Sequence, residues 1–313
     1  MKIEKNVLIM SLFPNKITQL FDQTFNTFKS YEKENPEKFI ESLSDKIDAI
    51  AVMGGTNVSS ELIKKLPNLK IIANYGVGYD AVDVDQATLS NVKVTNTPDV
   101  LNDEVADTAV ALTLCVYKNI SSANNFLLEK KWLKSEFPLS KKFSGTKFGI
   151  LGMGRIGKTI AKRIEAFNCE ICYHSRNEKD VKYKFFSKLE ELAEYVDTLC
   201  VITPGGEETK HLVNSNILQK LGKNGFLINI ARGSVIDQQA LIHALQNNII
   251  CGAGLDVFEN EPNVPDNLMK LDNVILTPHI GSATVETRYD MGKLVYDNVV
   301  KMLTTNSTIS PVN

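Results

Sequence analysis

Between Lys147 and Pro278 six short apolar runs, KFGIL, CEICYH, TLCVIT, FLINI, CGAGLDVF and NVILTP, follow one another with helical patterns or loops between them. Short apolar or β-branched runs that alternate with helical stretches read as parallel strands, because crossover helices cover both faces of the sheet. Four more runs, VLIMSLF, AIAVM, LKIIANY and VKVTNT, occupy the first hundred residues, with stretches at 59–66 and 84–90 that suit helices. The chain is therefore read as α/β, with two doubly wound domains of the Rossmann or flavodoxin-like kind. Its 313 residues are enough for two cores and should bury about three quarters of the unfolded surface.

After Pro98 the stretch DVLNDEVADTAVALTLCVYKNI sets Val105, Ala109, Leu112 and Val116 at helical spacing, and a second helical stretch runs to about residue 131. The long helix is expected to bridge the two domains. The last helix, at about 285–303, lies beyond the sixth strand of the second series and is expected to return to the first domain. The domains are accordingly read as 1–98 with 286–313, discontinuous, and 99–285. Lys plus Arg total 35 against 37 Asp plus Glu, without a basic block, so nothing electrostatic argues for nucleic acid or a membrane surface. A small molecule is the expected partner. Five cysteines without zinc-like spacing read as thiols in a reducing compartment, and no run reaches the length of a membrane span. A cytoplasmic protein without a metal site is expected.

In an open parallel sheet, ligands bind beyond the carboxyl ends of the strands, where loops diverge and helix N-termini point into the crevice. After KFGIL stands Gly152-Met153-Gly154-Arg155-Ile156-Gly157, which opens the helical pattern KTIAKRIEAF. Glycines there allow a tight turn and a close approach of backbone amides to a pyrophosphate, so this half is read as dinucleotide-binding. About twenty residues on, an acidic residue would grip the ribose 2′-hydroxyl of NAD. This chain has His174, Ser175, Arg176 and Asn177 instead. That is either a polar surface turn or a grip for a 2′-phosphate by Arg176, Ser175 and Asn177. The second reading makes NADPH the preferred cofactor and NADH the weaker one. Glu178 and Asp180 stand close enough in the chain to blunt that preference.

The remaining strand ends carry Thr203 and Pro204; Ala231, Arg232 and Gly233; Glu259 and Glu261; and His279, Ile280, Gly281 and Ser282. From position alone, Arg232 is either a salt bridge at a domain edge or a planar fork for a carboxylate. His279 is either a loop histidine bonded to backbone or a proton donor suited to neutral pH. Glu261, in FENEPNVP, reads as a solvated loop carboxylate unless it bonds an imidazole, where it would fix the tautomer and favour the protonated ring.

Taken in order, GMGRIG, NIARGSVID, GAGLDVFENEP and TPHIGSAT resemble the D-isomer-specific 2-hydroxyacid dehydrogenases, and NYGVGYD with VTNTPDVLNDEVAD fits their other domain. The resemblance runs nearly the full chain and is greatest to the glyoxylate/hydroxypyruvate and hydroxyphenylpyruvate reductases. It implies an interdomain cleft in which a nicotinamide hydride reduces a small 2-oxo acid to a 2-hydroxy acid. It also implies that Arg232 binds substrate, Glu261 orients His279, His279 is the general acid/base, and the amides of Val77 and Gly78 take the substrate carboxylate. Asp256 becomes a neighbour of the nicotinamide carboxamide, and Thr203, Pro204, Ile230, Ala231, Arg232, His279, Gly281 and Ser282 line the cofactor path with Gly152, Gly154, Arg155, Ile156 and Gly157. A homodimer built on the long helices and the loop at 132–143 is the usual assembly. Trp132 in that loop is either a packing residue or a specificity element reaching a neighbouring subunit. His174, His211 and His243 have no matching context and receive no catalytic role. A phosphoglycerate dehydrogenase-like enzyme and a dinucleotide-sensing corepressor are the alternatives, the first weakened by the lack of a regulatory domain, the second by the complete Arg232, Glu261, His279 set.

Overall fold

A computed structural model describes residues 2–313. It divides into two compact units, one made of the chain up to Leu101 together with Thr284–Asn313, the other of Asn102–Ala283. The first holds a parallel sheet of β1 (Asn6–Ile9), β2 (Asn26–Lys29), β3 (Ala49–Met53), β4 (Ile71–Tyr75) and β5 (Lys93–Thr95), in the order β2-β1-β3-β4-β5. All five residues of β4 are buried, as helices on both faces require. One layer of the core joins Leu8, Ile50, Ile72 and Val94 from neighbouring strands. β2 was not among the apolar runs: its NTFK sequence lies at the sheet edge with no fully buried residue.

The last helix, Val285–Thr305, packs on β4 and on the helix Asn15–Thr24 of this first unit. Gly292 makes the approach possible, since a Cβ there would stand 2.6 Å from Ile17 Cγ1. Tyr75 adds a bond from its hydroxyl to the Arg288 carbonyl at 2.8 Å, and Phe21 meets Tyr296 edge-on. Beyond the helix the chain returns to β5, where Pro311 bridges Thr95.

The second unit holds β6 (Lys147–Leu151), β7 (Glu170–His174), β8 (Lys184–Phe185), β9 (Thr198–Val201), β10 (Phe226–Asn229), β11 (Gly252–Leu255) and β12 (Val274–Leu276). Every pairing is parallel, in the order β12-β11-β10-β9-β6-β7-β8. The six expected strands are joined by a seventh, β8, whose two residues sit at the polar edge. The strand order reverses between β6 and β9, which makes their carboxyl ends the crevice of this sheet. The helix Asn102–Lys118, expected to bridge the domains, lies wholly in this unit. It rests on β11 because Gly252 and Gly254 leave room for Val116 and Leu112. Tyr117 at its end donates to or accepts from Thr198 at 2.8 Å, and burial pushes its phenol up to about 12. Among the described residues no helix is long and apolar enough to cross a membrane.

Candidate active site

At the crevice end of β6 the three glycines do different things. Gly152 has φ +111°, and a Cβ there would press on the Ile202 carbonyl oxygen at 2.8 Å, so the turn needs glycine. At Gly157 a Cβ would fall 2.1 Å from the Gly152 oxygen, so the helix Arg155–Ile164 can lie against the turn only without a side chain. Gly154 meets nothing within 4 Å, and as N-cap of that helix it offers no side chain to the first-turn amides. Open space before an uncapped helix N-terminus, at the switch point of the sheet, suits the pyrophosphate of a dinucleotide.

The end of β7 is held by backbone contacts: His174 Nδ1 pairs with the Phe186 carbonyl at 2.9 Å, and the Ser175 hydroxyl donates to the Asn177 carbonyl at 2.6 Å. Arg176 reaches across to Glu208 Oε2 at 2.9 Å, with both side chains at least 80 % exposed. Its carboxylate partner thus comes from the turn after β9, not from Glu178 or Asp180. Proximity in sequence did not reveal this pair. Thr203 and Pro204 precede the same turn, whose Thr209 hydroxyl donates to the Pro204 carbonyl at 2.8 Å.

Three other strand ends of this unit converge. At the end of β10, Asn229 is 1 % exposed; its Oδ1 accepts from Ala231 N at 3.0 Å, and its Nδ2 donates to the Arg232 carbonyl at 3.1 Å. That clamp, with Ile230 and Ala231 buried, sets the direction in which Arg232 leaves the strand. The Arg232 guanidinium donates through Nη1 to the Ala231 carbonyl at 2.8 Å. Gly233 then passes under the loop that follows β11, so close that a Cβ would lie 1.9 Å from the Phe258 carbonyl carbon and 2.3 Å from Glu259 N. The loops bearing Arg232 and Glu261 are therefore in direct backbone contact.

His279 follows β12 with φ +53°, a left-handed conformation that few non-glycine residues adopt. Asp256, 1 % exposed at the end of β11, explains how it is held. Its carboxylate accepts from Thr277 Oγ1 at 2.6 Å, Ile280 N at 2.7 Å and Gly281 N at 2.7 Å, while its own carbonyl accepts from His279 N at 2.9 Å. Expected as a contact of the carboxamide, Asp256 is thus engaged through both carboxylate oxygens in the turn that carries His279. Gly281 contributes a fit as well as an amide, since a Cβ there would come within 3.1 Å of Asp256 Oδ2.

The turn aims His279 Nδ1 at Glu261 Oε2, 2.7 Å away, and Glu261 Oε1 accepts from the Phe258 amide at 3.0 Å. Burial alone would push the Glu261 carboxyl up. The bonds from His279 and Phe258, with the charges of His279 and Arg232, outweigh it and hold the carboxyl below the usual glutamate range. The pair therefore stabilises the fold above that usual range, and the contribution is lost as pH falls through the lowered value. With Nδ1 committed to a carboxylate, Nε2 is the nitrogen left for proton exchange.

In the first unit, the carbonyls of the loop after β4 are held by hydrogen bonds. Asn74 Nδ2 donates to Gly76 O at 3.3 Å and Gly78 O at 2.9 Å, Thr97 N donates to Gly76 O at 3.0 Å, and Asn96 Nδ2 donates to Val77 O at 2.9 Å. Because a trans peptide points its N–H opposite its C=O, the Val77 amide faces away from the donors on Gly76 O, and the Gly78 amide away from the donor on Val77 O. Gly76, at φ +146°, permits the turn. Asn96 is anchored in turn: its carbonyl accepts from Ser310 Oγ at 2.7 Å, and Ser310 is held by the buried Asn298. Asn74, Asn96, Asn229 and Gly233 were missed as site-shaping residues.

Comparison with known proteins decides the family. Residues 110–281 match the model of the D-isomer specific 2-hydroxyacid dehydrogenase, NAD binding domain. The chain belongs to this family. It is 40% identical to a glyoxylate/hydroxypyruvate reductase of Arabidopsis thaliana and 40% identical to the hydroxyphenylpyruvate reductase of Plectranthus scutellarioides, each over 98% of both chains. It is also similar to the crystal structure of the NADPH-dependent glyoxylate/hydroxypyruvate reductase of Sinorhizobium meliloti in complex with NADP and malonate. There the TM-score is 0.92 and the identity 40%, covering 99% of this chain and 97% of that one. As a member of the family the protein is an NAD(P)-dependent oxidoreductase of 2-hydroxy acids, with its dinucleotide-binding domain in the second unit.

Proposed function

We propose that the protein reduces small 2-oxo acids of the glyoxylate and hydroxypyruvate kind, with hydroxyphenylpyruvate a further candidate, and that it prefers NADPH. The observation that carries this reading is the His279–Glu261 pair at 2.7 Å, beside an Arg232 whose charge acts on the same carboxylate. The cofactor, when bound, supplies a hydride to the carbonyl carbon. Arg232 holds the acid through its planar guanidinium and polarises the carbonyl, while the Val77 and Gly78 amides receive the carboxylate. His279, with Nδ1 fixed by Glu261, gives the Nε2 proton to the carbonyl oxygen and takes it back in the reverse direction. The first unit is the substrate-binding one in this scheme. The five thiols fit a reducing, cytoplasmic setting.

For the cofactor, Arg176, Ser175 and Asn177 replace the acidic residue that would favour NAD. A charge-assisted contact of about 1.5–3 kcal/mol corresponds to roughly ten- to a hundredfold in affinity. Glu208 competes for Arg176, but an exposed pair contributes at most about 1 kcal/mol, so the preference survives, trimmed by about fivefold at most. Steady-state kinetics on glyoxylate, hydroxypyruvate, pyruvate and hydroxyphenylpyruvate, each with both cofactors, test both halves. Turnover is expected with the first two acids and a higher kcat/KM with NADPH, which Arg176→Ala should erase. Equal use of the cofactors by the wild type would end the NADPH reading, and binding of cofactor without turnover of any oxo acid would end the enzymatic one.

A homodimer is part of the proposal. Ile120, Leu127, Leu128, Trp132, Leu133 and Leu139 are between 49% and 100% exposed within one stretch of twenty residues, and Trp132 therefore packs in no core of its own chain. A groove of about 670 Å³ lies against this stretch, with Phe126, Phe137 and Phe226 in its walls. Apolar surface gathered on one segment supports an interface with a second copy of the chain. Light scattering should give twice the chain mass; a fully active monomer at assay concentration would refute it.

A further inference from the structure

The loop that carries Glu261 bears a second carboxylate two residues earlier, and that carboxylate has an imidazole of its own. His211 Nε2 lies 2.8 Å from Glu259 Oε1, and the same oxygen accepts from the Gln238 amide at 3.4 Å. Glu259 N donates back to Gln238 Oε1 at 3.3 Å, and Gly233 lies directly beneath Phe258 and Glu259. His211 is itself fixed, with φ +51° and its amide bonded to the Ser234 carbonyl at 2.9 Å. One loop is thus gripped by two imidazoles, His211 through Glu259 and His279 through Glu261.

We propose that His211 is a positioning residue for the acid/base pair: its bond to Glu259 fixes the loop that sets the distance from Glu261 to His279. The inference rests on the role proposed for that pair. The bond to a carboxylate oxygen asks His211 to donate through Nε2, since a carboxylate only accepts. The other charged groups around the loop are committed or distant in role. Asp237 caps the helix Gln238–Gln246 through Ala240 N, Asp256 is filled by the His279 turn, and Arg232 acts on Glu261 directly. Lys210, next to His211 in the chain, is exposed, and Glu208 is paired with Arg176.

The test compares His211→Ala, His211→Gln and Glu259→Gln with Glu261→Gln, in oxo-acid reduction by the full enzyme across pH. Removing a half-exposed pair should lower kcat/KM by about two- to fivefold. It should also move the alkaline fall-off of reduction to lower pH, because a displaced Glu261 supports the protonated imidazole less well. KM for the cofactor should not change. His211→Gln, which can still donate to Glu259, should restore most of the activity and the wild-type limb. An unmoved limb in both His211→Ala and Glu259→Gln overturns the proposal, as does an equal loss in His211→Gln and His211→Ala. If Glu261→Gln itself leaves the limb in place, the reading of the acid/base pair fails and takes this inference with it. If Glu261→Gln moves the limb and neither of the other losses does, the inference alone fails.

Discussion

His279→Ala is expected to lower turnover of 2-oxo acids by about 10²–10⁴, the usual scale for a lost general acid, while leaving cofactor binding nearly as it is. The structure gives reasons for both halves. The turn around residue 279 is held by backbone donors, Ile280 N and Gly281 N on Asp256 and the residue's own amide on the Asp256 carbonyl, none of which needs the imidazole. Histidine is enriched several-fold over alanine at a φ such as +53°, a difference smaller than the bonds to Asp256 that hold the turn, so the variant should fold with its turn intact. What disappears is the proton donor and the partner of Glu261. The rate that remains should also lose the pH dependence that the imidazole imposes. Rapid-quench or steady-state kinetics across pH, with cofactor binding followed by fluorescence, check the prediction. Unchanged turnover would remove His279 from the chemistry and leave Glu261–His279 as a structural bond.

How much of this was readable beforehand depended on whether a feature is local in the sequence. The strands came through because burial on both faces writes itself as an apolar run, unbroken in β3 and interrupted only by Asn74 in β4. β2 and β8 did not, because an edge strand need bury little; NTFK and KF carry no such run. The glycine turn was legible as spacing, but the distinct roles of Gly152, Gly154 and Gly157 appear only when their surroundings are known. Arg176 was legible as a cation just beyond β7, yet its partner Glu208 is thirty-two residues away and belongs to another strand's turn. Asn74, Asn96, Asn229 and Asp256 escaped notice as supports for a related reason. Asn96 and Asp256 bond backbone groups of a separate loop, Asn74 and Asn229 those of the loop that they themselves open, and nothing in the sequence marks which buried polar residue will meet which backbone group.

Arg232→Ala is the second large effect expected, a fall of about 10²–10³ in kcat/KM for the oxo acid, with little change in cofactor binding. A charge-assisted bond to a carboxylate is worth about 1.5–3 kcal/mol, or roughly ten- to a hundredfold. Removing a group that stabilises charge developing on the carbonyl oxygen costs about 10²–10³ in kcat. The two are not additive, because the same guanidinium serves both. The scaffold should tolerate the change. The Arg232 carbonyl is clamped by Asn229, and Gly233 is fixed by the Phe258 loop, so the direction of the chain does not depend on the side chain. One electrostatic consequence is specific to this site: Arg232 is among the charges that hold Glu261 below the usual glutamate range, so its loss should move the acidic limb of activity toward higher pH. Arg232→Lys keeps a charge but not the planar fork, and should recover that limb better than it recovers kcat/KM. Normal oxo-acid kinetics in Arg232→Ala would make the residue structural, whereas a loss confined to the cofactor's KM would place it on the dinucleotide and not on the acid.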